Sequence, residues 1–261
     1  MTVIATSWST RIERADTLAA QGDGGTAAAL LGFYARLLRA QREVHDTLMS
    51  GRPTGEIEKD LGLVLDSARP LLKSVADAGP DQLAGKARDL LTGAADLRGE
   101  LLEYWHARSD RQFFAKAVLQ PYAEWLAALR PGMIAGSPVA RADRCGRCGG
   151  APQLVIMASG QAEGGSRSLQ CATCLGTWPF RRVCCSSCGN EDEHRLGYFQ
   201  SPTFPHVRVD ACEACRRYLK AIDLGRNGLA VPLIDEVASA SLDVWATDRG
   251  YVKIELNLIG L

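Results

Sequence analysis

Apolar residues recur at helical spacing through the first half of the chain and gather into short, strand-like runs in the second. Over residues 27–49, Leu30, Leu31, Tyr34, Leu37 and Leu38 fall on one helical face, followed by Gln41 and Val44, and Gly51 and Pro53 close the stretch. Residues 61–75 repeat the pattern, with Pro70 marking a start, a kink or a break. Further helices are predicted over residues 82–91, stopped by Gly93, over 94–106, and over 111–129. In the last of these Phe113, Phe114, Val118, Leu119, Trp125 and Leu129 recur, and Pro121 predicts a kink or two helices. The text is rich in Ala, Leu, Arg and Glu, as helices prefer. Aromatics at such spacing read as core rather than as a cofactor box. The first half is therefore expected to be a helical bundle.

The run Arg130-Pro-Gly-Met-Ile-Ala-Gly-Ser-Pro138 breaks the composition and reads as a linker. Beyond it, residues 154–157 predict a short strand, residues 166–170 its hairpin partner and 161–165 the turn. Residues 198–199 and 206–209 make a similar pair around Ser201-Pro-Thr-Phe-Pro205, and 218–222 a further strand. The tail from 233 to 251 reads mainly as helix, with Leu233, Val237, Leu242 and Trp245 on roughly one face. The expected fold class is α+β: an all-helical N-terminal domain followed by two small rubredoxin-like or zinc-ribbon-like metal modules. Expected boundaries are 1–135, 140–182 and 183–261, the last including a C-terminal helix.

Composition narrows the function classes. Apolar residues make up 46% and charged residues 23% of 261, ordinary for a globular chain. No apolar run approaches the ~20 residues of a membrane helix. A formal net charge of zero argues against a dedicated nucleic-acid binder. No phosphate-cradling Gly-Lys-Ser signature follows Gly149 and Gly150. The four histidines form no spaced pair, and the spacing of Asp210, Asp223, Asp235 and Asp243 supports no general base over solvated or capping roles. No catalytic residue is assigned, and the chain is expected not to be an enzyme.

The chemistry lies in the cysteines. Eight of nine form Cys-x-x-Cys pairs: Cys145/Cys148, Cys171/Cys174, Cys185/Cys188 and Cys212/Cys215. Two such pairs close a four-sulfur tetrahedral site, so four pairs predict two metal ions. Gaps of 22, 10 and 23 residues separate successive pairs, a unit used twice. Sequential pairing is the simplest reading; interleaved pairing needs longer loop closures. Gly149 and Gly189 follow the first pair of each unit, where positive φ lets the backbone turn and aim N–H groups at sulfur. Trp178 and Tyr218, after the second pairs, are placed to cover the sites. Thiolates alone do not separate zinc from iron.

A disulfide framework needs an oxidising compartment, and the start Met1-Thr-Val-Ile-Ala-Thr-Ser-Trp shows no basic segment followed by an apolar run. A reducing cytoplasm is expected. Cys184 breaks the pattern, as a free thiol beside the second site or a competitor of Cys185. Residues 141–223 hold eleven Arg plus Lys against eight Asp plus Glu. Arg144, Arg147, Arg181, Arg182, Arg216 and Arg217 flank the pairs, where compensation of anionic metal centres is a sufficient role. Arg181, Arg182, Arg216 and Arg217 are also candidates for a docking surface.

These motifs together resemble the FdhE family, accessory proteins of formate dehydrogenase biogenesis. The likeness runs through Cys145-x-x-Cys-Gly, Leu169-Gln-Cys-x-x-Cys-x-x-x-Trp178, Arg182-x-x-Cys185-x-x-Cys and Cys212-x-x-Cys-x-x-Tyr218-Leu-Lys220, then Asp223, Leu242-Asp-x-Trp245 and Gly250-Tyr251. In the helical half, Phe113-Phe-Ala-x-Ala-Val-Leu-Gln-Pro-Tyr122 and residues 34–41 are similar. The resemblance implies a cytoplasmic, non-catalytic maturation factor with a helical domain and two rubredoxin-like modules. It implies association with iron and engagement of the formate dehydrogenase catalytic subunit, the eight paired cysteines carrying over one by one. Where family members commonly end in an Asn-Pro-aromatic tail, this chain ends Asn257-Leu-Ile-Gly-Leu261. The competing functions are a rubredoxin-type electron carrier and a zinc-ribbon nucleic-acid-binding protein.

Overall fold

A computed structural model describes residues 6–22, 24–107, 112–129, 143–158 and 165–261. The linker at 130–138 and most of the expected turn at 161–165 lie outside them. The chain divides into two compact units, one centred on Ser7–Leu129 and one on Arg130–Asn257.

The first unit consists of helices α1 (Trp8–Gln21), α2 (Thr26–Ser50), α3 (Ile57–Ala78), α4 (Asp81–Thr92), α5 (Leu97–Ala107) and α6 (Phe113–Leu129). Each of the first four packs against its neighbour in sequence, and α6 packs on α2, α3 and α5. The predicted apolar stripe of α2 is buried at Leu31, Tyr34, Leu37, Leu38 and Val44, with Leu30 half-buried at its start. Gly93 ends α4 at φ 77°, the left-handed cap that favours glycine. Neither Pro70 nor Pro121 divides its helix. Pro121 leaves the carbonyl of Ala117 without its usual donor, and the side-chain amide of Gln41 supplies one at 2.9 Å. Helix α6 can therefore run buried through a proline. Asp60 accepts from the Tyr122 hydroxyl at 2.7 Å and from the backbone N–H groups of Thr54 and Gly55 at 2.8 Å each. Burial opposes its charge, but these donors hold its carboxyl below the usual range.

Helix α1 has no counterpart in the sequence reading. Only Arg11 and Ala15 are buried on it, too few for an apolar stripe. It is fixed by its Ser7 cap and by Arg11, which forms a two-pronged pair with Glu124 on α6, Nη1 to Oε2 at 2.9 Å.

The second unit is built on one sheet. Strands β1 (Pro152–Ala158), β2 (Ser166–Cys171) and β3 (Thr177–Pro179) form an antiparallel set, as do β4 (Leu196–Gln200), β5 (Val207–Cys212) and β6 (Arg217–Asp223). The sets join through a parallel pairing of β1 with β6, so the order is β3-β2-β1-β6-β5-β4. Where the sequence reading sets two modules side by side at 182/183, the hydrogen-bonded ladder runs through both. Helices α7 (Pro232–Ala238) and α8 (Ala240–Asp248) follow, and β7 (Val252–Lys253) pairs parallel with β6. The sheet core holds Val207, Val209, Ile222 and Tyr251 in one cluster and Val155, Leu169 and Leu219 in another.

Candidate metal centre

Each three-stranded set carries its cysteines at matching places. One pair precedes the first strand. The first cysteine of the next pair, Cys171 or Cys212, ends the second strand, and the other, Cys174 or Cys215, lies in the turn to the third. The backbone repeats in detail. The N–H of Cys145 donates to Gly150 and that of Cys185 to Asn190, at 3.0 and 2.8 Å. Positive φ follows the second cysteine of every pair: Gly149 at 71°, Leu175 at 54°, Gly189 at 75° and Arg216 at 55°. Leu175 and Arg216 accept a conformation that disfavours side chains, so closing the turn outweighs that local cost.

Cys145, Cys148, Cys171 and Cys174 form one group and Cys185, Cys188, Cys212 and Cys215 another, all sulfurs of a group lying within 4.8 Å of one another. Grouping is sequential along the chain. Sγ separations are 3.7 Å for Cys145–Cys174, 3.3 Å for Cys148–Cys171, 3.7 Å for Cys185–Cys215 and 3.8 Å for Cys188–Cys212. A disulfide needs about 2.0 Å. Four thiolates about 2.3 Å from a central ion stand about 3.8 Å apart at tetrahedral angles. The donor set and its spacing fit a four-thiolate ion, and each group can hold one.

The two centres differ in exposure. All four cysteines of the first are buried, whereas Cys188 of the second is exposed and Cys215 half-buried. Burial pushes the Cys171 thiol well up and the Cys185 thiol up to about 12, while hydrogen bonds from Cys148, Cys171 and Cys174 pull Cys145 far down. An ion would displace the protons of the group it binds. The glycines turn the chain as the sequence suggests, but their N–H groups go to the carbonyls of Cys145 and Cys185. N–H···S bonds come instead from Thr173 to Cys171 at 3.3 Å and from Ser187 to Cys185 at 3.4 Å, and the sulfurs of Cys188 and Cys215 accept from the backbone N–H groups of Asn190 and Arg217. The legible signal for these donors is their place two residues after a cysteine of a pair. Trp178 packs with Val155 and Leu169, and Tyr218 joins the sheet core and donates to Asp243 at 2.8 Å. Strand alternation commits both rings to packing on the sheet.

Cys184 is buried but outside the second group of four; Arg181 donates to its sulfur at 3.6 Å. Arg181 also pairs with Glu191. Arg216 pairs with Glu213, donates to the carbonyl of Arg249 and stacks 4.0 Å from the Tyr251 ring centroid. Arg182 and Arg217 are exposed, and their side chains form no ion pair among the described residues.

Residues 183–259, which hold the whole second centre, match the model of the FdhE C-terminal domain. A protein named FdhE homolog from Aquifex aeolicus is 38% identical over 116 residues, 44% of this chain and 41% of that relative. Its namesake from Pseudomonas putida is 24% identical over 283 residues, 94% of this chain and 86% of the relative. The chain is similar to proteins of the FdhE family. The crystal structure of the FdhE protein from Pseudomonas aeruginosa shares the fold, with a TM-score of 0.70 over 99% of this chain and 98% of that one at 24% identity. The FdhE fold therefore spans both the helical unit and the cysteine-bearing sheet. Among the described residues no helix is long and apolar enough to cross a membrane.

Proposed function

We propose that the chain is an accessory factor in formate dehydrogenase maturation. It acts in the cytoplasm as a binding protein rather than an enzyme, and it engages the catalytic subunit of the dehydrogenase. The observation that carries this reading is the FdhE C-terminal domain over residues 183–259 on a sheet that holds two four-cysteine groups. Cys145, Cys148, Cys171 and Cys174 would hold one ion and Cys185, Cys188, Cys212 and Cys215 the other, as iron or zinc. Bound, such an ion cross-links its loops, and as iron it also offers a one-electron couple. Arg181, Arg182, Arg216 and Arg217 contribute to the docking surface, Arg216 through the turn it holds and Arg182 and Arg217 through free charge.

Deletion of the gene tests the reading. Active formate dehydrogenase is expected to fall sharply while the catalytic-subunit transcript persists, and the purified chain should capture that subunit without oxidising formate. Unchanged dehydrogenase activity in the deletion strain, with no paralogue present, would remove the proposal. The exposure of Cys188 favours one second reading, a rubredoxin-type electron carrier, since a fully buried centre exchanges electrons less readily than one with a ligand residue at the surface. Iron in the purified chain and reversible bleaching on reduction would support it.

A further inference from the structure

We propose that the sheet carries an oxyanion pocket that takes a carboxylate borne on an apolar body. A cavity of about 330 Å³ is lined by strands β4, β5 and β6 and the segment 182–186. Four arginines reach it, Arg167, Arg182, Arg208 and Arg217, against two carboxylates, Glu193 and Asp210. Asp210 is already shared by two of them: Arg208 Nε donates to it at 2.7 Å and Arg167 Nη2 at 3.3 Å. Arg182 and Arg217 have no ion pair among the described residues, so the cavity wall, which also includes Cys185 and Cys212 of the second centre, carries two more arginines than carboxylates.

Arg167 supplies the second, independent sign. Its side chain is only 9% exposed. Nη1 donates to the carbonyl of Arg181 at 2.8 Å, yet Nε is buried with no hydrogen-bond partner. A buried charged donor without an acceptor is costly and marks a place where an acceptor belongs. Compensation of neighbouring thiolate charge is the competing use of these arginines, and it leaves Arg167 Nε unpartnered. A planar carboxylate suits guanidinium forks, and those of Arg182 and Arg217 at the cavity wall are open to one. Val183, Leu196 and Tyr198 give the cavity an apolar side, and the Arg208 guanidinium lies 5.1 Å from the Tyr198 ring centroid. The volume sits at the small end of ligand pockets, enough for one aryl acid or the last residue or two of a peptide. The proposal stands whichever client the chain serves.

Calorimetric titration of the full-length, metal-loaded protein tests it. The probes are 3-phenylpropionate, its amide, the tripeptide acetyl-Gly-Ala-Phe with a free carboxylate, the same peptide amidated, and inorganic phosphate. Saturable binding of the free carboxylates is expected, with each amide at least tenfold weaker. Arg167→Gln and Arg217→Gln should each weaken binding tenfold or more, and Arg226→Gln, which removes a charge away from the cavity wall, should not. Arg217→Gln is the decisive variant if Arg167→Gln fails to fold. A tripeptide at least tenfold tighter than the free acid supports the pocket and assigns it to a polypeptide terminus; the reverse order supports it as a small-acid site. Equal binding of acid and amide, tighter binding of phosphate than of either carboxylate, no saturation at millimolar probe, or full affinity in Arg217→Gln would overturn it.

Discussion

Lys220 and Glu236 meet as an ion pair from which solvent is wholly excluded, Nζ standing 3.1 Å from Oε1. Lys253 pairs with the same carboxylate and lies 2.9 Å from Asp243, which also pairs with Lys220. Asn257 donates to Glu236 and Tyr218 to Asp243, each at 2.8 Å. Two cations and two anions from β6, β7, α7 and α8 thus balance one another in the interior. Desolvating four charges costs as much as their attraction returns. All four groups pair when α7 and α8 seat on the sheet in this register, and a shifted seating would leave buried charge uncompensated.

Glu236→Gln removes one anion and leaves two buried lysines facing Asp243 alone. Loss of one partner from a buried pair costs on the order of 3–5 kcal/mol. Urea unfolding followed by fluorescence should show a loss of that size. Adding Lys253→Met to Glu236→Gln should recover part of it, because the second change removes the uncompensated charge. Additive losses would show that the groups are not coupled.

The same pair sets an acid limit. Burial alone would raise the Glu236 carboxyl, but Lys220 and Lys253 hold it down at about 2 against an unfolded value of 4.5. A depressed carboxyl contributes stability that is complete above pH 4.5 and is lost as pH falls toward 2. Denaturant midpoints should therefore drop across that window, and Glu236→Gln should flatten the drop. An equally steep fall in the variant would assign the acid sensitivity to other carboxylates.

The cluster also shows where sequence reading stops. Cys145 to Cys215 announce themselves because metal chemistry fixes both residue type and spacing, and the strands between them alternate. Tyr218-Leu-Lys220 and Leu242-Asp-x-Trp245 were legible as motifs, but nothing in them marks Asp243 as a buried partner of Lys220, and Glu236 and Lys253 carry no local signal. Their burial depends on partners no local pattern encodes. The β1–β6 pairing escapes for a like reason: it is parallel, joins Leu154 to Lys220, and leaves no turn signature. Helix α1 escapes because its anchor is one arginine, Arg11, rather than an apolar stripe. Gln41 and Pro121 were each visible, but that one repairs the other needed the packing of α2 on α6.

Elemental analysis of protein purified anaerobically without added metal should give two ions per chain. Cys145→Ser with Cys148→Ser should lose one and keep the other, because the groups share no ligand. Loss of both ions would show that the joined sheet couples the centres.

Backbone room at the first centre gives a finer test. A Cβ on Gly150 would stand 2.7 Å from Sγ of Cys171 and 3.2 Å from Sγ of Cys148. Gly150→Ala must displace a ligand sulfur, so affinity at the first centre should fall at least tenfold with the second unchanged. A Cβ on Gly146, in the same loop, meets nothing within 4 Å, and Gly146→Ala should bind metal normally. Competition with a chromophoric chelator reads both, and equal behaviour of the two variants would refute the packing argument.

The neighbouring arginines Arg216 and Arg217 should fail in different ways. Arg216 adopts φ 55°, pairs with Glu213, caps the carbonyl of Arg249 and stacks on Tyr251. Arg216→Glu sets a carboxylate against Glu213 and over the negative face of that ring, and it should lower thermal stability. Arg217 is exposed, and its side chain forms no ion pair among the described residues. Arg217→Glu should leave the melting temperature and metal content unchanged while weakening capture of the formate dehydrogenase catalytic subunit at least tenfold, with wild-type binding falling as salt rises. Melting curves, metal analysis and pull-down of the two variants side by side separate the roles. Undiminished capture by Arg217→Glu would remove that arginine from the docking surface.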